Sequence, residues 1–393
     1  MSLAQLRDRQ RHQGAVFDLS PGSCSEAQGA SPELNPQPNP DPSIPGVPHG
    51  FPQEDEALAL LPQGAIVVDH SHWGWLEVGG ADRLRFLHNQ STNDFQRLQP
   101  GQGCETVFVT ATARTLDLAT AYGEDDRLRV LVSPNRTEQL YGWLDRYIFP
   151  FDKVTLTNTS LQWATLRLVG AASLGILERL GLNPPPEELH SHHRQTWGDR
   201  TLHITQGSGL ALPGYTLSIS PEGVADLWEA VVQAGAAPVG DRGWEMLRIT
   251  QGRPAPDREL TEDYNPLEAG LWQTISFQKG CYIGQETIAR LNTYKGVKQR
   301  LWGLRFPADL APLPPLGSPI TTIEGERAGK LTSITITPQG ILGLGYVRTK
   351  VGGVGLEVRV SLGSEAEESS PEEFVLAEVV PLPYGQHPED GEA

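Results

Sequence analysis

Apolar and polar positions sort the chain into two stretches of mixed helix and strand spacing and a last one of strands alone. In the first stretch, Ala65–Val68, Gly74–Val78, Thr106–Val109, Leu116–Thr120 and Leu128–Val132 are short runs bounded by turn residues, and read as strands. Glu54–Leu61 reads as a helix, and Asp82 is placed to cap another that carries Leu84 and Leu87. Pro134 suits a helix start, with Leu140, Trp143, Leu144 and Tyr147 following at i, i+3, i+4 and i+7.

The second stretch repeats the mixture. Lys153–Leu156, Leu161–Leu168, Leu202–Thr205 and Tyr215–Ile219 read as strands, and Ala171–Leu180 as a helix. Ser220-Pro221 caps and opens a helix with Val224, Leu227, Trp228, Val231 and Val232 on one face. Asp241–Thr250 is another, closed by Gly252 and Pro254. A loop begun by Pro184-Pro185-Pro186 holds His190, His192 and His193; they could bind a metal, but a polar, proline-flanked loop points to solvated side chains. After Arg300 only strands remain: Leu301–Phe306, Ile320–Ile323, Gly329–Ile336, Leu342–Val347, Glu357–Val360 and Val375–Val380. Gly/Pro turns between them predict a small barrel or sandwich.

Before Glu54 the chain is different. Residues 4 to 13 are polar and helix-compatible, and Ala15-Val16-Phe17 could dock as a short apolar tag. From about 19 to 52, prolines punctuate a stretch with few large apolar residues, which cannot offset its ordering entropy. A disordered or polyproline-like insert is expected there, either a passive linker or an SH3-type ligand. The end, Pro388 to Ala393, reads as an acidic frayed tail.

Composition narrows the classes. With 393 residues and 38% hydrophobic content, two or three core-bearing units are expected. No apolar run is long enough to cross a bilayer, and the N-terminus has no apolar signal region. Cys24, Cys104 and Cys281 are far apart, which fits neither a disulfide framework nor a local zinc site. A cytoplasmic protein without membrane partners is therefore expected. A net charge of −17 argues against nucleic-acid binding through the whole surface, and no direct nucleic-acid partner is expected.

The stretch with the most chemistry is Lys279-Gly280-Cys281-Tyr282-Ile283-Gly284-Gln285-Glu286. A cysteine lies between two glycines, two residues after a lysine and just before a helix-like run from Gln285 to Leu291. Glycine permits close ligand approach, and a helix start and an ammonium both favour a thiolate. The plainer reading is a small buried hydrophobe in a tight turn. From Lys279 to Arg305 the basic residues Lys279, Arg290, Lys295, Lys298, Arg300 and Arg305 face the single acid Glu286, a positive patch suited to an anion. A partner's acidic face or RNA phosphate are the other readings, with Tyr294 and Trp302 interleaved among the later basic residues.

This loop, together with Pro266-Leu267-Glu268-Ala269-Gly270 and Phe86-Leu87-His88-Asn89-Gln90-Ser91-Thr92-Asn93-Asp94, resembles the YgfZ branch of the folate-binding glycine-cleavage T-protein superfamily. That branch has a KGCYxGQE-type signature, and the likeness spans about 54–380. The resemblance implies an α+β fold: two interleaved α/β subdomains around a central folate hole, plus a C-terminal β-barrel. The expected division is 1–18 helix, 19–52 insert, 53–300 folate-binding region, 301–382 barrel and 383–393 tail.

The implied cofactor is tetrahydrofolate or a one-carbon derivative. Glu268 matches the residue that holds the pterin edge, where a carboxylate suits paired N–H donors. Lys279, Tyr282, Gln285 and Glu286 would complete the binding loop, with Arg248 and Arg290 toward the glutamyl tail. Cys281 would be the reactive thiol. The branch is associated with maintaining or assembling iron–sulfur clusters, so the implied partners are iron–sulfur enzymes, including radical SAM enzymes that modify tRNA. No resident metal is expected.

One departure concerns the aspartate that true aminomethyltransferases carry near the folate. The matching turn, Thr112-Ala113-Arg114-Thr115-Leu116-Asp117-Leu118, lacks the glycines and sets Asp117 one position off, on the opposite strand face. Asp117 is the candidate for proton transfer; its plainer reading is the polar face of a half-buried strand. A folate-dependent aminomethyl or one-carbon transferase is the alternative function, and a folate-free scaffold a third.

Overall fold

A computed structural model of the chain describes residues 2–17, 46–363 and 373–385. The expected proline-rich insert up to residue 45 and the acidic tail beyond 385 lie outside the described residues. The α-helices are α1 (Ser2–His12), α2 (Glu54–Ala59), α3 (Arg83–Gln90), α4 (Thr137–Asp145), α5 (Ser173–Arg179), α6 (Pro221–Gln233), α7 (Asp241–Gln251) and α8 (Gln285–Thr293). The strands of the first two stretches are β1 (Ile66–Asp69), β2 (Gly74–Gly79), β3 (Gly103–Val109), β4 (Thr115–Gly123), β5 (Arg127–Val132), β6 (Thr155–Asn158), β7 (Ala164–Val169), β8 (His192–Trp197), β9 (Arg200–Gln206), β10 (Gly214–Ile219) and β11 (Ala237–Val239). The last stretch adds β12 (Gln299–Phe306), β13 (Pro319–Thr322), β14 (Arg327–Thr337), β15 (Gly340–Arg348), β16 (Glu357–Ser361) and β17 (Phe374–Val380).

The first compact unit takes in the described residues up to Thr106 and Asp117–Trp244. One sheet has the order β11-β1-β7-β10-β9-β8, the other β3-β4-β5-β2-β6. The chain enters the first sheet with β1, crosses to the second for β2–β6 and returns for β7–β11, so the two sheets interleave along the sequence. β1 runs parallel to β11 and antiparallel to β7. Every residue of β1, β7 and β10 is buried, as expected of strands covered on both faces. Val67, Leu166, Leu168 and Leu217 share a core with Val224, Leu227, Trp228 and Val231 of α6 and with Leu6 of α1.

Several expectations change here. Residues 46–52 are not part of a loose insert: Phe51 is buried and stacks on Trp228 at 5.8 Å, and Gly50 bridges to Val16. The burial of Phe51 against α6 supplies the apolar surface that the proline count hid. The helix expected from Pro134 starts at Thr137. The histidine loop becomes β8, an edge strand paired with β9. His192 is buried there, its Nε2 lies 3.0 Å from the Gly123 carbonyl, and burial pushes its pKa down to about 4. Among the described residues no group of histidine, cysteine and carboxylate side chains could hold a metal. No helix there is long and apolar enough to cross a membrane.

The second unit contains Val107–Leu116, the tip of the β3–β4 hairpin, and the described residues from Glu245 onward. The boundary expected at 300 falls inside it. Its strands close into a barrel in the order β12-β15-β14-β13-β16-β17, which removes the free edges. Leu304, Ile320, Leu331, Val347, Val358, Val360 and Val379 fill the interior.

Candidate functional site

The hairpin tip is the first support of the signature loop. Thr110 N donates to the Arg114 carbonyl at 2.9 Å, and Ala113 N to the Thr110 carbonyl at 2.8 Å. Ala113 closes this turn at φ +62°, a left-handed conformation that glycine tolerates and alanine resists. Ala113→Gly is expected to raise stability by up to about 1 kcal/mol, although the site is fully buried; a lowered urea midpoint would contradict this.

Gly284 is the second support. It caps α8 at φ +82°. A Cβ there would lie 2.9 Å from the Thr110 carbonyl oxygen and 3.1 Å from the Ala113 Cα, so loop and hairpin tip meet backbone to backbone. Tyr282 and Ile288 then reach a small core with Ala113, Leu267 and Ile275. Gln285 Nε2 donates to the Gly280 carbonyl at 3.4 Å, closing the turn around the cysteine.

Cys281 is exposed. Lys279, by contrast, is buried, with its ammonium 4.7 Å from the centroid of the Tyr282 ring, a cation–π contact. Burial pushes the Tyr282 phenol up to about 12, so it stays neutral beside that charge. Glu286 lies exposed in the first turn of α8, where the helix dipole favours an acid, and Arg290 is exposed toward its C-terminus.

Glu268 sits in a capping box. Asn265 Oδ1 accepts from Leu267 N and Glu268 N at 3.0 and 3.1 Å, and Asn265 N donates back to Glu268 Oε2 at 3.0 Å. Burial raises the Glu268 carboxyl above the usual range, opposed by Asn265 N, the Gln299 side chain and the Arg114 charge. Leu301 N donates to its backbone carbonyl, which ties it to the start of β12. Beside it, Tyr264 stacks on Tyr346 with ring centroids 3.5 Å apart. Burial, then Asp263, Glu268 and Glu259, push the Tyr264 phenol up to about 12.

The unit therefore joins Glu268 and the Cys281 loop through consecutive residues: Leu267 and Tyr282 share one core. Arg248 is buried among polar partners. Its Nη1 donates to Glu259 Oε2 at 2.7 Å, Nε to Glu245 Oε2 at 2.9 Å and Nη2 to Ser333 Oγ at 2.7 Å. These bonds fasten α7 to β14, so Arg248, expected toward the glutamyl tail, has buried protein partners for its guanidinium. Asp117 belongs to the first unit, fully buried in β4, where its Oδ2 accepts from Ser133 N at 3.0 Å. Arg114, Gln299, Tyr264 and Tyr346 went unread from sequence. The Asn265–Glu268 spacing was the one signal present, because Asn-x-x-Glu is a capping-box pattern.

The family described as the GCVT N-terminal domain matches residues 49–279. A chloroplastic putative transferase of Arabidopsis thaliana is 44% identical over 320 residues, 80% of this chain and 72% of that protein. An aminomethyltransferase of Geobacillus kaustophilus is 29% identical over 347 residues, 84% and 89% of the two chains. The structure of the glycine cleavage system aminomethyltransferase T from Bartonella henselae matches with a TM-score of 0.78 at 20% identity, covering 96% of each chain. The α+β architecture with its closed C-terminal barrel is thus the T-protein fold.

Proposed function

We propose, on the premise that the chain belongs to the family of the GCVT N-terminal domain, that it binds a tetrahydrofolate. We read it as a YgfZ-type accessory protein that supports iron–sulfur clusters in other enzymes. The carrying observation is that one small core holds both Leu267, next to the buried carboxylate, and Tyr282, next to the exposed thiol. The donor chemistry of Glu268 fits a pterin edge. A carboxylate offers about four lone-pair sites, and Asn265 N and Gln299 take two of them. The remainder can accept a planar pair of N–H groups, which would offset the burial of the charge. Bound tetrahydrofolate would supply one-carbon carrier chemistry. Cys281, a soft ligand in reach of solvent, would serve a partner's iron transiently, since one thiol cannot hold a cluster. The placement of Asp117 within a buried strand weighs against the aminomethyl-transfer alternative.

In cells lacking the protein, Cys281→Ala is expected to leave folded protein that restores less than a tenth of the activity of a dependent iron–sulfur enzyme. Full restoration would remove the thiol from the account.

A further inference from the structure

Between Thr287 and Ala308 the chain has no aspartate or glutamate, but it has Arg290, Lys295, Lys298, Arg300 and Arg305. Between Arg327 and Leu356 it again has no acid, yet carries Lys330, Arg348 and Lys350. In a chain of net charge −17 these are two unusual stretches, and the fold joins them. β12 pairs with β15, with Gln299 opposite Arg348. Thr349 N donates to the Lys298 carbonyl at 3.0 Å and its hydroxyl to the Val297 carbonyl at 3.1 Å. Lys298 and Lys350 therefore emerge at one end of the barrel, both exposed. The C-terminus of α8 leads into the same end, where Tyr294 N donates to the Arg290 carbonyl at 3.0 Å and Gly296 N to the Leu291 carbonyl at 2.8 Å. Arg290 and Tyr294, four apart, share a helix face. Tyr294 is 78% exposed, whereas Trp302 is buried.

We propose that this end of the barrel binds single-stranded nucleic acid, with phosphates at Arg290, Lys295, Lys298 and Lys350 and a base stacked on Tyr294. A row of cations alone would suit any polyanion. An exposed phenol ring among them suits a base, whose π-face can stack on it. An acidic peptide would use the charges and leave the ring in water. The acidic remainder of the chain repels a polyanion and confines contact to this patch, which reconciles it with the net charge.

The test is fluorescence anisotropy on the full chain with labelled oligouridylate and oligothymidylate of about 20 nucleotides and a polyglutamate peptide of equal length. Binding is expected to weaken with salt at a log–log slope of about −3, as four phosphate contacts on a single strand give. K295E/K298E/K350E should lower affinity at least about 10-fold, and Tyr294→Ala about 5- to 100-fold, with thermal stability unchanged. Tighter uridylate binding would identify RNA as the strand, and equal binding would extend the site to either strand. The proposal fails if neither oligonucleotide binds in a salt-dependent way. It fails equally if polyglutamate binds as tightly and Tyr294→Ala changes nothing, the result expected of a docking face for an acidic protein.

Discussion

Arg248→Met is expected to destabilise the protein by about 3–5 kcal/mol, because it removes the cation that is hydrogen-bonded to the buried Glu259 carboxylate. Glu259 is fully buried, and Arg248 spans it, Glu245 and Ser333. Burial alone would raise the Glu245 carboxyl; the Arg248 charge and hydrogen bond outweigh it and hold the group below its ordinary value. The sign of the pH dependence follows. A depressed folded-state pKa contributes stability that is present above the unfolded value, about 4.3, and lost as pH falls through the folded one. Methionine removes the charge and hydrogen bond that hold Glu245 low, so that carboxyl's folded-state pKa rises and protonation relieves the variant. Urea midpoints should therefore differ most near neutral pH and converge toward pH 4. A variant as stable as the parent near neutrality would show that the buried Glu259 does not depend on Arg248.

Gly284→Ala carries the second large effect, about 2–4 kcal/mol, from two additive sources. At φ +82° any Cβ meets left-handed strain, and this one also meets backbone atoms at 2.9 and 3.1 Å that cannot rotate aside. Gly325 is the control: its φ is +91°, but nothing lies within 4 Å of an added Cβ. Gly325→Ala should cost only the strain, about 1 kcal/mol. Equal losses at the two positions would show that the loop does not press on the hairpin tip. Because Gly284 sets the start of α8, its replacement should also displace Cys281 and lower function with it.

The barrel was legible because its strands alternate and its turns carry Gly and Pro, so each of the six expected runs overlaps an observed strand. β8 was not, because His192-His193-Arg194-Gln195 shows no apolar alternation; an edge strand needs little. β11 was too short to stand out. Within the site, the loop around Cys281 announced itself through two glycines and a lysine. The surroundings of Glu268 did not, since Arg114, Gln299 and Tyr346 come from a hairpin tip and two barrel strands distant in sequence. Arg248, expected toward the glutamyl tail, has hydrogen-bond partners that the sequence did not single out: Glu245 and Glu259, three and eleven residues away.

Folate titration by calorimetry, on the wild type and Glu268→Gln, tests the central claim most directly. Glutamine can still close the capping box, so the fold is kept while the charge is lost. The wild type is expected to bind tetrahydrofolate and to weaken as pH falls through the raised pKa of Glu268. The variant should bind about 10- to 150-fold more weakly, as loss of a charged hydrogen-bond partner predicts, and show no such pH dependence. Equal affinities for the two proteins, or no binding by the wild type, would contradict the account.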